Sequence, residues 1–484
     1  MLVHQLWERH ADDSVIYRYH NESITYGELK VKINEVKNYF HSIGIKSGEN
    51  VGLYCKNSPE FVYAYFAIVS LGAVVVPFNR TLTPHEVDFI AKDAEMKHIV
   101  TMESMDLEGD YKQLVISDYM KQLNEVELKE APLLRNIDED QVAVIIYTSG
   151  TTGHPKGAML THKNLVSNTK GIAKALNITT EDNILCVLPM FHSFAWTTTV
   201  LSALYAGATT VIMENFHPKD ALKLIHDEAV TIVCGVPTMY NYYLMLGTPE
   251  GLNSVRAFVS GGASLPVEIT ENFKTKMGKS IVEGYGLSEA SPVVSVNPLN
   301  SVRAGSIGVP LEHIEVRIVD SENRVLPDFE VGELIVKGPN VMKGYFNQSE
   351  VTEKTIVKKW LHTGDLAYKD SDGYIYVVDR LKDIIIVSGM NVYPREVEEV
   401  IYKYEGIVEA TVIGIPDKTR GEAVAAFVVT QDNEGFDQKV FKQFLRENLA
   451  NFKLPREIHL KDQLPKNATG KIMKKMLRSE YVGK

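Results

Sequence analysis

The segment Tyr147-Thr148-Ser149-Gly150-Thr151-Thr152-Gly153-His154-Pro155-Lys156-Gly157 concentrates hydroxyls, glycines and one lysine in eleven residues. Its glycines permit tight turns with exposed N–H groups. The hydroxyls and Lys156 add donors and a positive charge. Such a loop is suited to surrounding phosphate oxygens. It is not a Walker A loop, because Pro155 stands where G-K-[ST] requires glycine. An apolar run, Val142 to Ile146, leads into it, so a strand ending in a phosphate-binding loop is expected. The bland alternative is a polar linker.

The elements that must carry this loop follow from patterning. Thr25-Tyr26-Gly27-Glu28 fits a capping box, and Leu29, Ile33, Val36 and Phe40 continue at helical spacing. Twice an apolar helix meets Gly-Ala and then a β-branched strand, at Gly72-Ala73 and at Gly207-Ala208. Helix–strand alternation with apolar strands indicates parallel sheets covered on both faces. The expected fold class is α/β, with doubly wound sheets in a large N-terminal domain, 1–381. A small α+β domain, 382–484, follows. From about Tyr374 onward short strands are expected, at Tyr374–Val378, Ile384–Val387, Val408–Ile413 and Ala423–Val429, with the boundary near Arg380–Asp383. Two helices join them, one bearing Val397, Val400, Ile401 and Tyr404, the other Val440, Phe441, Phe444 and Leu445.

Composition excludes several classes. The 484 residues are 45% hydrophobic and 23% charged, ordinary for globular proteins. A net charge of −11 disfavours a nucleic-acid binder. The three cysteines, Cys55, Cys186 and Cys234, are far apart and suit a reducing cytoplasm rather than a disulfide scaffold. The N-terminus lacks a basic segment followed by an apolar one, so no signal peptide is expected. The charge-free run Phe61 to Phe78 approaches membrane-spanning length. The Gly72 stop and the β-branched residues after it favour a buried helix and a buried strand over a transmembrane helix.

Beyond the loop, Gly284-Tyr285-Gly286-Leu287-Ser288-Glu289, Leu361-His362-Thr363-Gly364-Asp365, Asp379-Arg380-Leu381-Lys382-Asp383, Ser388-Gly389-Met390-Asn391-Val392-Tyr393-Pro394 and Pro465-Lys466-Asn467-Ala468-Thr469-Gly470-Lys471 follow in order. With the loop, this series resembles the adenylate-forming superfamily of acyl-CoA synthetases, luciferases and peptide-synthetase adenylation domains, and is most similar to fatty acyl-CoA synthetases. The resemblance spans nearly the whole chain. It implies that a carboxylic acid is joined to AMP, releasing pyrophosphate, and then passed to coenzyme A. Cations are needed where two anions meet. ATP, Mg2+ and coenzyme A are the implied cofactors, and a homo-oligomer is left open.

The same resemblance implies roles for individual residues. Lys471 bridges carboxylate and α-phosphate; read alone, it is as readily a surface lysine of a basic tail. Thr148, Ser149, Gly150, Thr151, Thr152, Gly153 and Lys156 hold phosphates. Glu289, with Thr148, meets Mg2+. Gly261, Gly262, Ala263, Glu283, Gly284, Tyr285 and Gly286 surround adenine, Ser288 offers its hydroxyl to the α-phosphate, Asp365 takes the ribose hydroxyls and Arg380 reaches the ribose or phosphates. Lys382 is the hinge of a mobile small domain, and Ser388 and Gly389 meet coenzyme A. Ile386 departs from relatives that carry a lysine there for the second step. The acid pocket is expected from His192, Phe194, Trp196, Val236, Met239 and Gly286. It has no Lys or Arg to pair a second carboxylate, so medium- or long-chain fatty acids are favoured. Aryl or short branched acids, and transfer to a carrier protein's phosphopantetheine, are the alternatives. Trp196 reads as a core tryptophan as readily as a gate to an acyl tunnel, and His192 also fits as a satisfied core histidine.

Overall fold

A computed structural model describes residues 1–123, 130–132, 137–148, 155–431, 435–467 and 470–482. Among the described residues the strands form sheets of nine, seven, five and five. In the seven-stranded sheet, Asn50–Tyr54, Val74–Pro77 and His98–Thr101 run parallel, each fed by an apolar helix or turn. Val142–Thr148 pairs parallel to Val74–Pro77 and antiparallel to Lys156–Thr161. The nine-stranded sheet is parallel through Asn183–Cys186, Thr209–Ile212, Ile232–Gly235, Ala257–Ser260 and Ile281–Gly286.

Local signals account for these elements. Thr25 caps the helix Tyr26–Ser42, accepting from the Glu28 N–H while the Glu28 carboxylate accepts from the Thr25 N–H. The charge-free run becomes the helix Pro59–Ser70 and the strand Val74–Pro77. From Phe61 to Val69 that helix is buried on every side, between the two large sheets. Its uniform hydrophobicity is that of a central core helix. Among the described residues no helix is long and apolar enough to cross a membrane. At Gly207 the left-handed backbone (φ 81°) ends the helix Ser202–Ala206 and turns the chain into Thr209–Ile212.

One part of the architecture differs from the expected doubly wound layers. Glu315–Val319, Gly332–Lys337, Ile356–Val357, Trp360–Lys369 and Ile375–Arg380 make a separate antiparallel sheet. The expected strand at Tyr374–Val378 belongs to it. The chain then passes through a short turn, Leu381–Asp383, and enters the last sheet at Ile385–Val387, which pairs with Gly421–Thr430. Lys382 is exposed on that turn, while Asp383 is buried and paired with Arg478 at 2.9 Å. The two expected helices are Pro394–Tyr402 and Gln438–Asn448, whose apolar residues meet over the long hairpin Ile407–Asp417 and Gly421–Thr430.

The N-terminal segment is anchored by an imidazole pair. The His162 Nδ1 accepts the Val3 N–H at 3.2 Å, and the His4 and His162 rings meet edge-on with centroids 5.8 Å apart. Burial, then the nearby Lys37, holds His4 down to about 4. Burial, His4 and the chain amine hold His162 down to about 3. In the unfolded chain both titrate near 6.5. The unfolded state therefore binds more protons between these values. This stability is complete above pH 6.5 and is lost as pH falls toward 4, at up to about 1.4 kcal/mol per pH unit for each histidine. Urea unfolding of wild type and His162→Gln at pH 7.5 and pH 5.0 tests this. The expected outcome is a smaller loss of midpoint in the variant; equal losses would refute it.

Candidate active site

The hairpin Val142–Thr148 and Lys156–Thr161 places Thr148 directly opposite Lys156. Ser149, Gly150, Thr151, Thr152 and Gly153 lie between them, outside the described residues. The Lys156 ammonium stands 5.4 Å above the Tyr345 ring, and the Tyr345 hydroxyl donates to Glu289 Oε1 at 2.9 Å. Tyr345 thus links the loop lysine to the carboxylate expected to meet a metal, and no motif pointed to it.

The strand Ile281–Gly286 supplies the next group. At Gly286 a Cβ would lie 2.1 Å from the Pro292 carbonyl oxygen, so only glycine fits this crossing. Glu283 on the same strand is buried. Its Oε1 accepts the Leu265 N–H at 3.1 Å, and its Oε2 has no partner. Burial pushes this carboxyl up to about 7, against the opposing pull of Arg395. That oxygen is left without a partner on a residue whose backbone pairs with Ser260, immediately before Gly261. Ser288 opens a short turn and approaches Ser193 at 3.4 Å between hydroxyl oxygens.

Asp365 is buried where the antiparallel sheet meets this strand. Its Oδ2 accepts from the Tyr285 hydroxyl at 2.5 Å, and its Oδ1 is 3.1 Å from Arg380 Nε. Each carboxylate oxygen carries two lone pairs, so both can accept a further hydroxyl. Burial, then Asp365, raises the Tyr285 hydroxyl well above its usual range. The turn before Asp365 is braced by Glu333, which accepts the Gly364 N–H at 3.0 Å and sits 2.8 Å from His362 Nδ1.

Lys471 arrives from the C-terminal lobe. Asn467 Oδ1 accepts the Lys471 N–H at 2.9 Å, and Gly470 adopts φ 80°. A Cβ on Gly470 would lie 3.2 Å from Val236 of the large domain. The lobe is also tied by Asn241 Nδ2 to the Val408 carbonyl, by the Val267 N–H to Glu399, and by the Arg395 N–H to Asp379. Lys471 therefore lies among Arg380, Asp365, Lys382 and Asp383. It keeps surface open to the cleft, yet crowding by protein, then the Arg380 charge, lowers it to about 8.

His192 begins the helix Ser193–Ala195 and its Nδ1 accepts the Phe194 N–H at 3.2 Å. That bond places the ring proton on Nε2. Burial, then Lys471, lowers His192 to about 4, so it is a neutral donor at neutral pH.

The expected acid pocket divides. Phe194 packs with Val236 and Met239, and its ring comes within 2.9 Å of a Cβ built on Gly261. Trp196 does not join that wall. It packs with Phe61, Tyr65 and Phe66 on the opposite side. The reason is helical: residues two apart project roughly 200° from each other. Ser388 and Gly389 are exposed at the tip of the hairpin Ile385–Val387 and Met390–Val392, with φ 51° and 81°. Among the described residues no group of three or more His, Cys, Asp or Glu gathers to hold a metal.

The family model for AMP-binding enzymes matches residues 3–346, and that for the AMP-binding enzyme C-terminal domain matches residues 396–471. The chain is 34% identical to a long-chain-fatty-acid–CoA ligase of Bacillus subtilis (strain 168), covering 97% of this chain and 92% of that one. It is also 34% identical to a feruloyl-CoA synthase of Amycolatopsis sp, covering 98% and 97%. Among solved structures it resembles ATP-bound MatB from Rhodopseudomonas palustris, with TM-score 0.92, 31% identity and 99% of both chains covered. The o-succinylbenzoate CoA synthetase (MenE) of Bacillus subtilis bound to OSB-AMP gives TM-score 0.89 and 30% identity over 98% and 97%.

The surroundings of Lys471 make a direct prediction. Acylation of the free enzyme by acetic anhydride at graded pH, read by mass spectrometry, should show Lys471 titrating near 8 rather than at the usual 10.5. Arg380→Gln should move that midpoint upward. An ordinary lysine midpoint would contradict the placement.

Proposed function

The chain belongs to the AMP-binding, adenylate-forming enzymes, and on that premise we propose that it activates a medium- or long-chain fatty acid and transfers it to coenzyme A. The coarser activity, an ATP-using, AMP-forming acyl-CoA ligase, follows from the family and its relatives. The observation that carries the mechanism is the delivery of Lys471 by the C-terminal lobe to the cluster of Arg380, Asp365 and His192.

In the first half-reaction a carboxylate oxygen attacks the α-phosphorus of ATP, and the bond to pyrophosphate breaks. Lys471 lies between the two anions and offsets their repulsion. Asp365 accepts the ribose hydroxyls, with Arg380 beside it. Tyr285 and Gly284 face adenine across from Gly261, Gly262 and Ala263, and the free Glu283 Oε2 is suited to the adenine amino group. Ser288 donates to the α-phosphate. Thr148, Ser149, Gly150, Thr151, Thr152, Gly153 and Lys156 hold the departing phosphates. Glu289 and Thr148 offer hard oxygens that would hold Mg2+. Bound there, it supplies charge neutralisation. His192, neutral, donates from Nε2 toward the carboxyl group.

In the second half-reaction the thiolate of coenzyme A attacks the acyl carbon and AMP leaves. Turning about Lys382 withdraws Lys471 and brings Ser388 and Gly389 toward the site, so one cleft serves both steps. Val236, Met239 and Phe194 form the apolar wall met by the acid, with Gly286 at the reacting end.

CoA-dependent AMP release over saturated acids from short to long, with aryl acids in parallel, tests the substrate reading; best turnover of an aryl acid would replace it. Lys471→Ala should reduce adenylate formation by roughly a hundredfold or more while sparing thioester formation from supplied acyl-adenylate. Equal loss in both half-reactions would contradict the role given to Lys471.

A further inference from the structure

The C-terminal lobe presents one cation that the chemistry described above does not use. Arg395 stands at the start of the helix Pro394–Tyr402, and its side chain is 11% exposed. Its Nη1 donates to the Val377 carbonyl at 2.7 Å, and its backbone N–H donates to Asp379 Oδ2 at 2.9 Å. Both partners lie on Ile375–Arg380, the strand that sets Arg380 opposite Asp365. Val377 and Asp379 precede the Lys382 turn and Arg395 follows it, so both bonds join the lobe to the large domain.

One helical turn on from Arg395, Glu399 accepts the Val267 N–H at 3.3 Å. Val267 opens the helix Val267–Met277, and the residue before it, Pro266, offers no side-chain acceptor to the free N–H groups there. The lobe thus supplies a cap that the large domain lacks. Two residues earlier, the Leu265 N–H is accepted by Glu283. Residues 265–267 are therefore held by two carboxylates, one from each domain.

Those carboxylates need a cation near them. The Arg395 Nε lies 3.8 Å from Glu399 Oε1. The Arg395 charge also favours the ionised form of Glu283, which Glu399 opposes. Without Arg395, two crowded carboxylates would face each other with no charge to offset them. Breaking such a pair from one side leaves the other group uncompensated. Here the uncompensated repulsion would act between the domains, pushing the lobe away rather than unfolding either part.

We propose that Arg395 is the latch of the adenylate-forming arrangement, a positioning residue that holds the lobe through the Val377 carbonyl and the Glu283–Glu399 pair and so keeps Lys471 in the cleft. The inference rests on the two-step reading above and adds to it what secures the first step. Glu283 also carries the free oxygen suited to adenine, so the latch and the nucleotide meet at one carboxylate. A latch shifts the balance between two lobe positions. Its loss therefore acts on the half-reaction that needs Lys471 and spares the one that does not.

The test follows the two half-reactions of the full-length enzyme separately, with decanoate and with cinnamate in parallel. Acid-dependent exchange of pyrophosphate into ATP reads the first, and thioester formation from the supplied acyl-adenylate reads the second. Arg395→Ala should slow exchange by about tenfold, in maximal rate rather than in acid KM, and leave thioester formation unchanged or faster. Arg395→Gln gives the same reading should Arg395→Ala misfold. Glu399→Gln keeps an acceptor for the Val267 N–H and removes the charge. The double variant Arg395→Ala/Glu399→Gln should therefore recover most of the exchange rate. Equal losses in both half-reactions, no loss in either, or a double variant no better than Arg395→Ala would each overturn the latch. Acylation of Lys471 by acetic anhydride reads the lobe without turnover. Its midpoint should move from about 8 toward 10.5 in Arg395→Ala, and an unmoved midpoint would overturn the proposal. Absence of exchange with either acid would overturn the fatty or aryl acid reading, and the Lys471 midpoint would still decide the latch.

Discussion

Two anions must be held in contact for the first bond to form, and the rest of the molecule is arranged around that repulsion. Two like unit charges 4 Å apart cost about 4 kcal/mol at an effective dielectric near 20. The only way to offset this within a cleft is a cation brought between them. Lys471 has the properties required: a long side chain on a tight turn, crowded by Arg380 and lowered to about 8. A lysine so depressed gains most when anions arrive, because each restores the stability of its charged form. In the mechanism proposed above, the same argument gives a reason for the cation to ride on a separate lobe. Once the adenylate exists, a fixed lysine would hold the carboxyl oxygen it had helped to place, and the thiolate needs the same space.

What keeps the large domain ready for that cation is a set of braces that make no chemistry of their own. Asn57 is one. Its Nδ2 donates to the Leu188 and Met213 carbonyls, both at 3.0 Å, and its Oδ1 accepts the Met190 N–H at 2.7 Å. It clasps the segment entering His192 to the start of the central helix. Glu333 does likewise for the turn before Asp365, and Tyr345 for Glu289. Removing any one partner would leave a buried polar group unpaired, which costs more than the bond itself contributes.

The motifs proposed to meet substrate stand out in the sequence because particular residue types gather in short stretches. So do the helix at Thr25 and the helix–glycine–strand junctions, whose signals lie within a few residues. The braces were not legible: Glu333 reaches His362 and Tyr345 reaches Glu289 across long stretches of chain, and nothing in the residues flanking Glu333 or Tyr345 announces the partner. The antiparallel sheet from Glu315 to Arg380 escaped for a related reason. Its pairings join strands separated along the chain, such as Gly332–Lys337 with Trp360–Lys369. Only the fold shows that Glu283 ends with an unpaired oxygen.

The separation of Phe194 from Trp196 shows how a small backbone choice partitions a site. Had Phe191 to Trp196 run as an extended segment, the two aromatic side chains would share a face, as residues two apart do on a strand. The chain instead enters a helix at Ser193, so one ring covers Gly261 and the other turns toward Tyr65. The π-helical turn that follows would be costly without partners for the carbonyls it displaces. Thr198 and Thr199 supply hydroxyls at that point, to the Phe194 and Ala195 carbonyls, and both are buried. Side-chain hydroxyls returning to the preceding turn are known to bend helices, and here they stabilise the bend that directs Trp196 inward. A threonine run in an apolar helix is therefore a conformational instruction rather than a set of misplaced polar residues.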